Sequence, residues 1–186
     1  MPDTGRIIDR GRWDQKHRDA EFLGGPASFL VECRRHLPPG RALDLACGLG
    51  ANALFLAEEG FTVEAFDWSF EGLRKLTAEA RERRRRVAAV ACDVTRFPLP
   101  RERYDVLLSF RFLDRSLWPS MVEALRPGGA LVIETFNRRY LERRPDFPEE
   151  YCLEEGELLS AFGASLRIAL YQEIPREPVA SLLAFR

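Results

Sequence analysis

The residues best suited to hold a ligand stand where short apolar runs of the chain end. Asp44 opens the sequence DLACGLGAN, in which Gly48 and Gly50 follow the first apolar run, and Asp67 and Asp93 end the next two. Glycine lets a ligand approach the backbone at such a turn, and the helix N-terminus that follows favours anionic groups. A carboxylate about twenty residues after the turn can accept both hydroxyls of a ribose.

Each of these signals has an alternative reading when taken alone. The pattern G-x-G-x-x-A also occurs in ordinary tight turns and in NAD-binding domains. Asp67 could instead cap the helix that follows it. Taken together, a glycine turn and two acids at three consecutive strand ends predict a nucleotide-type site at one sheet edge.

From Arg41 onward, apolar runs alternate with helical patterns, which is typical of β-α-β units that build a parallel sheet. Ser69 can cap the second of these helices, and another helix is interrupted or begun at Pro119 within 116 to 125. Strands are predicted over 42 to 46, 61 to 67, 87 to 93, 104 to 110 and 130 to 136, and helices over 51 to 60, 70 to 81 and 154 to 162.

The tail contains two further strand candidates, over 165 to 174 and 178 to 186, with a very short connection. A parallel crossover needs a dozen residues or more, so these strands must form an antiparallel hairpin. The segment 137 to 151, rich in Arg, Pro and Glu, is interpreted as an exposed loop that could contact a substrate. The predicted fold is a doubly wound, Rossmann-like α/β domain with a mostly parallel seven-stranded sheet and helices on both faces.

The chain resembles the class I S-adenosylmethionine-dependent methyltransferases over nearly all of 41 to 186. ALDLACGLG is similar to the first motif of that family, AFDWS to its ribose-binding segment, ACDVTRFPLP to its adenine-side segment, and LRPGGALVIETF to its fifth-strand entry. The terminal hairpin is a further feature of that family and is absent from the NAD-binding pattern. RWDQKHRDAEFLGGPASFL, before the core, is similar to the start of the tellurite-resistance and related small-molecule methyltransferases.

The resemblance implies a cofactor, S-adenosylmethionine, and a set of residues that would bind it. The implied roles concern its methionine moiety, its ribose, its adenine and its sulfonium. The methionine moiety would be bound by Asp44, Ala46, Cys47, Gly48 and Gly50, and the ribose by Asp67. The adenine would contact Trp68, which packs on its ring, as well as Asp93 and Val94. The sulfonium would face Ser109 and Phe110.

No catalytic residue is identified after the fourth strand, where the chain has Ser109-Phe110-Arg111-Phe112 and not the D/N-P-P-Y/F sequence of some amino-methylating relatives. Arg111 and Asp114 could bind a small acidic or polar acceptor, or could form a surface ion pair. An oxygen or nitrogen acceptor could use His17 or a carboxylate as a base, whereas a thiolate, selenide or telluride would need none. Phe112 could face the sulfonium or belong to the core.

The composition of the chain indicates which classes of binding partner are expected. A net charge of −1 provides no general field for a polyanion, so nucleic acid is disfavoured and a small-molecule acceptor is preferred. No apolar run is long enough to span a bilayer and no signal peptide is evident, so we expect a cytoplasmic protein with no membrane partner. The four cysteines lack C-x-x-C spacing, and His17 and His36 lack ligand spacing, so reduced thiols and no metal site are expected.

Residues 1 to 186 are predicted to form one domain, with 1 to 40 as an N-terminal helical lid and 41 to 186 as the core. A helix over 26 to 37 would pack on the sheet through Phe29, Leu30, Cys33 and Leu37. Residues 13 to 22 would then lie over the cofactor, with Trp13, His17 and Phe22 as lid contacts; the alternative is a loosely tethered tail.

The predicted function is methyl transfer from S-adenosylmethionine to a small-molecule acceptor by in-line displacement. Two alternatives remain open at this point. One is an NAD-type, nucleotide-dependent oxidoreductase, and the other is a non-catalytic module that binds S-adenosylmethionine. Binding of reduced nicotinamide would favour the first, and tight cofactor binding without turnover would favour the second.

Overall fold

The computed structural model describes residues 4–20, 24–173 and 178–186, and the side chains from residue 10 onward. Seven strands form one sheet in the order β3-β2-β1-β4-β5-β7-β6. The first five are parallel, and β7 is antiparallel to both β5 and β6. The strands are β1 (Arg41–Leu45), β2 (Thr62–Asp67), β3 (Val87–Ala91), β4 (Tyr104–Phe110), β5 (Leu125–Phe136), β6 (Arg167–Gln172) and β7 (Val179–Phe185).

This topology confirms the predicted Rossmann-like fold and its terminal hairpin. The strand order reverses between β1 and β4, so the carboxyl ends of these two strands flank the crevice in which doubly wound folds bind ligands. Seven α-helices are described: α1 (Thr4–Asp19), α2 (Ser28–Cys33), α3 (Ala51–Glu58), α4 (Phe70–Glu82), α5 (Trp118–Ala124), α6 (Tyr140–Arg143) and α7 (Glu157–Phe162).

Two apolar clusters cover the two faces of the sheet. One contains buried residues of α2, α3 and α4, and the other contains those of α5 and α7. Parallel strands need such cover on both faces because their inner residues point to both sides. In the described chain no helix lies between β3 and β4, so Ala88, Ala89 and Ala91 of the edge strand stay exposed.

The predicted helix over 26 to 37 is shorter than expected. Its observed parts are α2 and a 3₁₀ helix at Arg34–His36. The predicted face is nevertheless correct, because Phe29, Leu30, Cys33 and Leu37 are all buried. The Ala27 N–H donates to Asn52 Oδ1 at the start of α3, which holds the beginning of α2 at the carboxyl edge of the sheet.

The segment 137 to 151 was expected to be an exposed loop and is more ordered than that. It contains α6 and a 3₁₀ helix at Glu149–Tyr151. Aromatic rings connect these pieces: Phe136 stacks on Tyr140 with ring centroids 3.9 Å apart, and Phe147 meets both edge-on. Packing of these half-buried rings against one another fixes a segment whose charged composition gave no sign of these contacts. No helix of the described chain is both long enough and apolar enough to cross a membrane.

Candidate functional site

The glycine turn follows β1 and holds three left-handed residues within five positions. Ala46, Gly48 and Gly50 have φ of 56°, 57° and 79°. A Cβ on Gly50 would lie 2.5 Å from the methyl carbons of Leu76, so glycine is required there for the turn to pack against α4. The Cys47 N–H donates to the Phe66 carbonyl, which ties the turn to the end of β2. The turn therefore delivers the N-terminus of α3 to the carboxyl edge.

Asp44 lies beneath this turn and is 2% exposed. Its carboxylate accepts a hydrogen bond from the Ala53 backbone, but its Oδ2 is buried without a partner. Burial raises the pKa of Asp44 to about 7, with a further contribution from the negative charge of Asp67. An unpaired buried carboxylate oxygen is costly, so a cationic ligand group such as an ammonium would satisfy it.

Asp67 ends β2 and connects the glycine turn with the start of α4. Its Oδ2 accepts from the Gly48 N–H and its Oδ1 from the Ser69 N–H, both at 2.7 Å. Ser69 is the N-cap of α4, as predicted, because its hydroxyl accepts from the Gly72 N–H. Asp67 therefore does not cap this helix. A carboxylate oxygen can accept two hydrogen bonds, so each oxygen of Asp67 keeps capacity for a ribose hydroxyl.

The predicted adenine-side residues follow β2 and β3 at the same edge. Asp93 Oδ1 accepts from the backbone and hydroxyl of Thr95, and Arg96 lies 3.7 Å from its other oxygen. Val94 is buried and Trp68 is half-buried. The Cys92 N–H donates to the Asp67 carbonyl, which places the ends of the two strands side by side. Asp67 and Asp93 thus share one edge, as the sequence predicted.

The end of β4 supplies Ser109, which is buried, and Phe110, which reaches the cavity described below. Arg111 follows with φ of 55°, a left-handed conformation that a residue other than glycine seldom adopts. Its backbone N–H donates to the Glu134 carbonyl, and its guanidinium lies 3.0 Å from the Glu134 carboxylate. The Ser181 hydroxyl donates to the other oxygen of Glu134. Two long-range contacts therefore hold Arg111 in place.

Glu134 is a site residue that sequence reasoning missed. It is 8% exposed and lies near the end of β5, beside Arg111 in the cavity wall. The signal for it was a single acid near the end of the apolar run of the fifth strand. Asp114, by contrast, has a local role: its carboxylate accepts from the backbone and hydroxyl of Ser116 and so caps the 3₁₀ helix at Arg115–Leu117. Phe112 packs against the core cluster of α5 and α7.

The C-terminal half of the first helix is attached to α4 by polar contacts. The Asp14 carboxylate accepts from the Ser69 hydroxyl and from the Glu71 N–H. The Lys75 ammonium donates to the carbonyls of Arg18 and Ala20. These contacts join residues more than fifty positions apart, so no local pattern could have revealed them.

Two of the predicted lid contacts fall within the described residues, and of these His17 lies in the cavity wall and Trp13 does not. His17 is 7% exposed, and burial lowers its pKa despite the opposing effect of the Asp67 carboxylate. Trp13 is 42% exposed and packs against the His17 ring, with centroids 5.7 Å apart. Phe22 lies outside the described residues.

These elements enclose a cavity of about 600 Å³ at the carboxyl edge, between β1, β4 and the N-terminal segment. The predicted residues in its wall are His17, Cys47, Gly50, Phe110 and Arg111. Asp44, Ala46, Gly48, Asp67, Trp68, Asp93, Val94, Ser109 and Asp114 are not in its wall. Further wall residues, which sequence reasoning missed, include Lys16, Ser28, Asn52 and Glu134.

The other potentially reactive groups are the cysteine thiols and the side chains that could bind a metal ion. All four cysteines are free, and burial raises the pKa of Cys47 well above its usual value, with further contributions from Asp44 and Asp67. Cys47 is therefore suited to packing and not to nucleophilic attack. Within residues 4–20, 24–173 and 178–186, no group of three His, Cys, Asp or Glu side chains is placed to hold a metal ion.

Comparison with known proteins shows that part of the chain is similar to a family of known function. The methyltransferase domain family matches residues 42–129. Demethylmenaquinone methyltransferase of Beutenbergia cavernae is 36% identical over 107 residues, which cover 54% of this chain and 42% of that protein. The probable S-adenosyl-L-methionine-dependent methyltransferase TehB of Haemophilus influenzae is 26% identical over 100 residues, which cover 52% of this chain and 35% of that protein. The matched part is thus less than half of each relative.

Solved structures extend the likeness to the complete fold. Geranyl diphosphate C-methyltransferase from Streptomyces coelicolor, solved with S-adenosyl-L-homocysteine, superposes with a TM-score of 0.78 at 15% identity and covers 100% of this chain and 99% of its own. TehB of Haemophilus influenzae superposes with a TM-score of 0.73 at 19% identity over 95% of this chain and 66% of its own. The complete chain thus has the fold of the S-adenosylmethionine-dependent methyltransferases, including the antiparallel hairpin of the sheet, and its residues 42–129 match the methyltransferase domain family.

Proposed function

We propose that this chain binds S-adenosylmethionine along the carboxyl edge of β1, β2 and β3 and transfers its methyl group to a small-molecule acceptor. The observation that carries the proposal is the buried, unpaired Oδ2 of Asp44 beneath the glycine turn. The amino group of the methionine moiety is a cation of the size and charge that this oxygen lacks. Asp67, which keeps acceptor capacity on both oxygens, would hold the ribose.

The remaining predicted residues complete the proposed cofactor site. Ala46, Cys47, Gly48 and Gly50 would follow the methionine moiety along the turn. Trp68, Asp93 and Val94 would surround the adenine, and Ser109 with Phe110 would lie near the sulfonium. When bound, S-adenosylmethionine supplies the methyl group, which passes to the acceptor by in-line displacement of the sulfur. The task of the protein is to align the acceptor and to exclude water.

The acceptor would enter between the first helix and the end of β4, where Arg111 and Glu134 form part of the cavity wall. Arg111 is fixed by Glu134 and by the face of Phe136, whose ring centroid lies 5.0 Å from its guanidinium carbon. Because Glu134 balances its charge, Arg111 would position a polar acceptor through hydrogen bonds. Asp114 is already engaged as a cap, which leaves Arg111 and His17 as the candidates nearest the reaction.

Residues 1 to 40 are proposed to act as a lid on the core of 41 to 186. The support is that His17 lies in the cavity wall while Asp14 and Lys75 tie the same helix to α4. If the helix is a lid, Asp14→Ala should weaken cofactor binding without unfolding the sheet. Unchanged affinity in this variant would favour a dispensable tail.

The names of the relatives support a small-molecule acceptor. Two of them denote a demethylmenaquinone methyltransferase and a geranyl diphosphate C-methyltransferase. A small acceptor also agrees with a cavity of about 600 Å³, which falls within the usual range for small-ligand sites. A net charge of −1 gives no support to a nucleic-acid acceptor.

Calorimetry and thermal shift with S-adenosylmethionine, S-adenosylhomocysteine, NAD and NADP test this proposal. We expect the two sulfur compounds to bind and to raise the melting temperature, and the nicotinamide nucleotides to do neither. Stabilisation by NAD alone would overturn the proposal in favour of an oxidoreductase. Tight binding of S-adenosylmethionine without turnover on small thiol, amine, quinol or isoprenoid acceptors would support a non-catalytic module instead.

A further inference from the structure

The side chain of His17 is held between two glycines. It is buried, in contrast to the other residues described between 10 and 20. A Cβ placed on Gly72 would lie 2.9 Å from His17 Nδ1 and 2.5 Å from the Gly48 carbonyl oxygen. A Cβ on Gly48 would lie 3.5 Å from His17 Nε2. Glycine in the first turn of α4 lowers helix propensity, and the close approach of the Gly48 carbonyl together with the imidazole explains its presence.

The two ring nitrogens have different surroundings. Nδ1 is sealed from solvent and has no hydrogen-bond partner. It faces the Cα of Gly72, whose C–H is at best a weak donor and cannot accept a hydrogen bond. A proton on Nδ1 would therefore be a buried donor without an acceptor, whereas a bare lone pair there is compatible with the C–H. Burial also lowers the pKa of His17, which keeps the ring neutral near pH 7.

From this asymmetry we infer that His17 carries its proton on Nε2 and donates it to an oxygen atom of the bound cofactor. This inference rests on the proposed binding of S-adenosylmethionine. Nε2 is the nitrogen left for the cavity, because Nδ1 is sealed. The oxygen that receives the bond is a carboxylate or a ribose hydroxyl, the two kinds of acceptor that would lie beside Gly48 and Asp67.

The inference changes the role of His17 from a general base to a hydrogen-bond donor. A base would need an unprotonated nitrogen directed at the acceptor, and the unprotonated nitrogen here is directed at Gly72. His17 would then hold the cofactor under α1, while Asp14 and Lys75 hold α1 on α4. Cofactor binding and docking of the helix become two parts of one process.

Two substitutions separate these roles, because a glutamine amide can place an N–H near the position of Nε2 whereas an asparagine amide reaches only that of Nδ1. We expect His17→Asn to raise the Kd for S-adenosylhomocysteine about tenfold, and His17→Gln to stay within about threefold of the unmodified protein. His36→Gln, which changes an exposed residue of the 3₁₀ helix at Arg34–His36, is the matched control. Equal, undiminished affinity in both His17 variants would overturn the inference.

Turnover provides a second measurement. His17→Gln should retain methyl transfer if the residue is a donor and should lose it, with binding intact, if the residue is a base. The second result would overturn the inference. Repeating the binding series with 5′-methylthioadenosine, which lacks the amino acid, identifies the oxygen: a penalty that persists in His17→Asn assigns the ribose, and one that disappears assigns the carboxylate.

Nitrogen-15 NMR tests the tautomer without any ligand. The chain has two histidines, so in His36→Gln the remaining imidazole signals belong to His17. We expect the Nε2–H tautomer in the free protein and a downfield shift of that proton with saturating S-adenosylhomocysteine. An Nδ1–H tautomer would overturn this inference and leave the proposed function standing. Failure of the unmodified protein to bind S-adenosylhomocysteine would instead contradict the proposed function itself.

Discussion

Buried ionisable groups near the two ends of the parallel strands differ in whether they have hydrogen-bond partners within the chain. Toward the amino edge, Glu64 accepts hydrogen bonds from Arg41 at 2.7 Å, from Arg103 at 2.5 Å and from the Tyr104 hydroxyl at 2.7 Å. Although burial opposes it, these three donors hold the pKa of Glu64 below its usual value. At the carboxyl edge, Asp44 Oδ2 and His17 Nδ1 are buried without partners.

Asp105, like Glu64, has its hydrogen-bond donors within the chain. It accepts from the Arg41 backbone N–H at 2.7 Å and pairs with Arg126 at 3.2 Å. A Cβ on Gly40 would collide with the Asp105 carboxylate, so the chain uses glycine to admit this bond. Polar groups that are satisfied within the chain stabilise the fold, whereas unsatisfied ones mark where a ligand completes the structure. The comparison therefore separates residues for stability from residues for binding.

The largest expected effect is on binding, from Asp44→Asn at the carboxyl edge. The amide has the same shape as the carboxylate but carries no charge, so the cofactor ammonium loses its ionic partner. We expect the Kd for S-adenosylhomocysteine to rise at least about thirtyfold, since removing one member of a buried charge pair costs about 2–5 kcal/mol. The melting temperature at pH 8 should be equal or higher, because a buried charge has been removed. Calorimetry and thermal melts give both values, and a destabilised variant with normal affinity would invert the comparison.

The next effect is on stability, from Glu64→Ala toward the amino edge. The substitution leaves the buried Tyr104 hydroxyl without its acceptor and separates two arginines from their shared carboxylate. We expect a loss of about 2–3 kcal/mol in the free energy of unfolding, measured by denaturant titration. Tyr104→Phe, the milder control, should lose about 1 kcal/mol. Affinity for S-adenosylhomocysteine in native buffer should change by less than about twofold, and a larger change would show that the two edges are coupled.

Asp67→Ala should affect both properties, because Asp67 is bonded within the chain and is also proposed to bind ribose. Each lost charge-assisted hydrogen bond to the cofactor should weaken binding by about 1.5–3 kcal/mol. The fold should survive with a lower melting temperature, since the Gly48 and Ser69 N–H groups lose their acceptor. Calorimetry on the folded variant provides the measurement. Wild-type affinity there would remove Asp67 from the ribose site.

The smallest effect concerns pH. Because the pKa of Asp44 is about 7 in the fold and its ordinary value is 3.8, the stability that the protonated carboxyl contributes to the fold is lost as pH rises between these values. An ammonium ligand needs the ionised form, so binding below pH 7 should release a proton. We expect the Kd for S-adenosylhomocysteine to rise by up to about tenfold from pH 7 to pH 6, and to be nearly constant above pH 8. Asp44→Asn should remove this dependence; a pH profile that persists in it would assign the titration to another group.

The sequence was sufficient for the sheet because strand and helix periodicities are local properties of the chain. The same applies to Gly48, Gly50 and Asp67, which follow directly from the ends of predicted strands. Glu134 and the attachment of the first helix were missed because they depend on contacts between distant segments. Gly72 was a usable signal: a glycine in the first turn of an otherwise amphipathic helix indicates that another part of the chain approaches closely.

The contacts of Arg111 and of the segment 137 to 151 could not be predicted from the sequence either. Composition suggested an exposed loop, since the charged residues outnumber the aromatic ones. The rings of Phe136, Tyr140 and Phe147 pack together nonetheless, and Arg111 lies over the first of them. Stacking of side chains from a strand end and a short helix has no sequence period and is visible only in three dimensions.

Because α1 is attached by polar contacts, hydrogen exchange of its amides should report whether the cofactor site is occupied. Between residues 10 and 20 the structure buries His17 and leaves the others at least partly exposed, so this part of the helix buries little apolar surface that would oppose its opening. Its amide protons should therefore exchange with solvent through a local opening, well before the sheet unfolds. If the cofactor binds only beneath the docked helix, that opening becomes rarer by the factor 1 + [L]/Kd. Protection of α1 amides would then rise in proportion to free ligand, while amides that exchange by local openings elsewhere keep their rates.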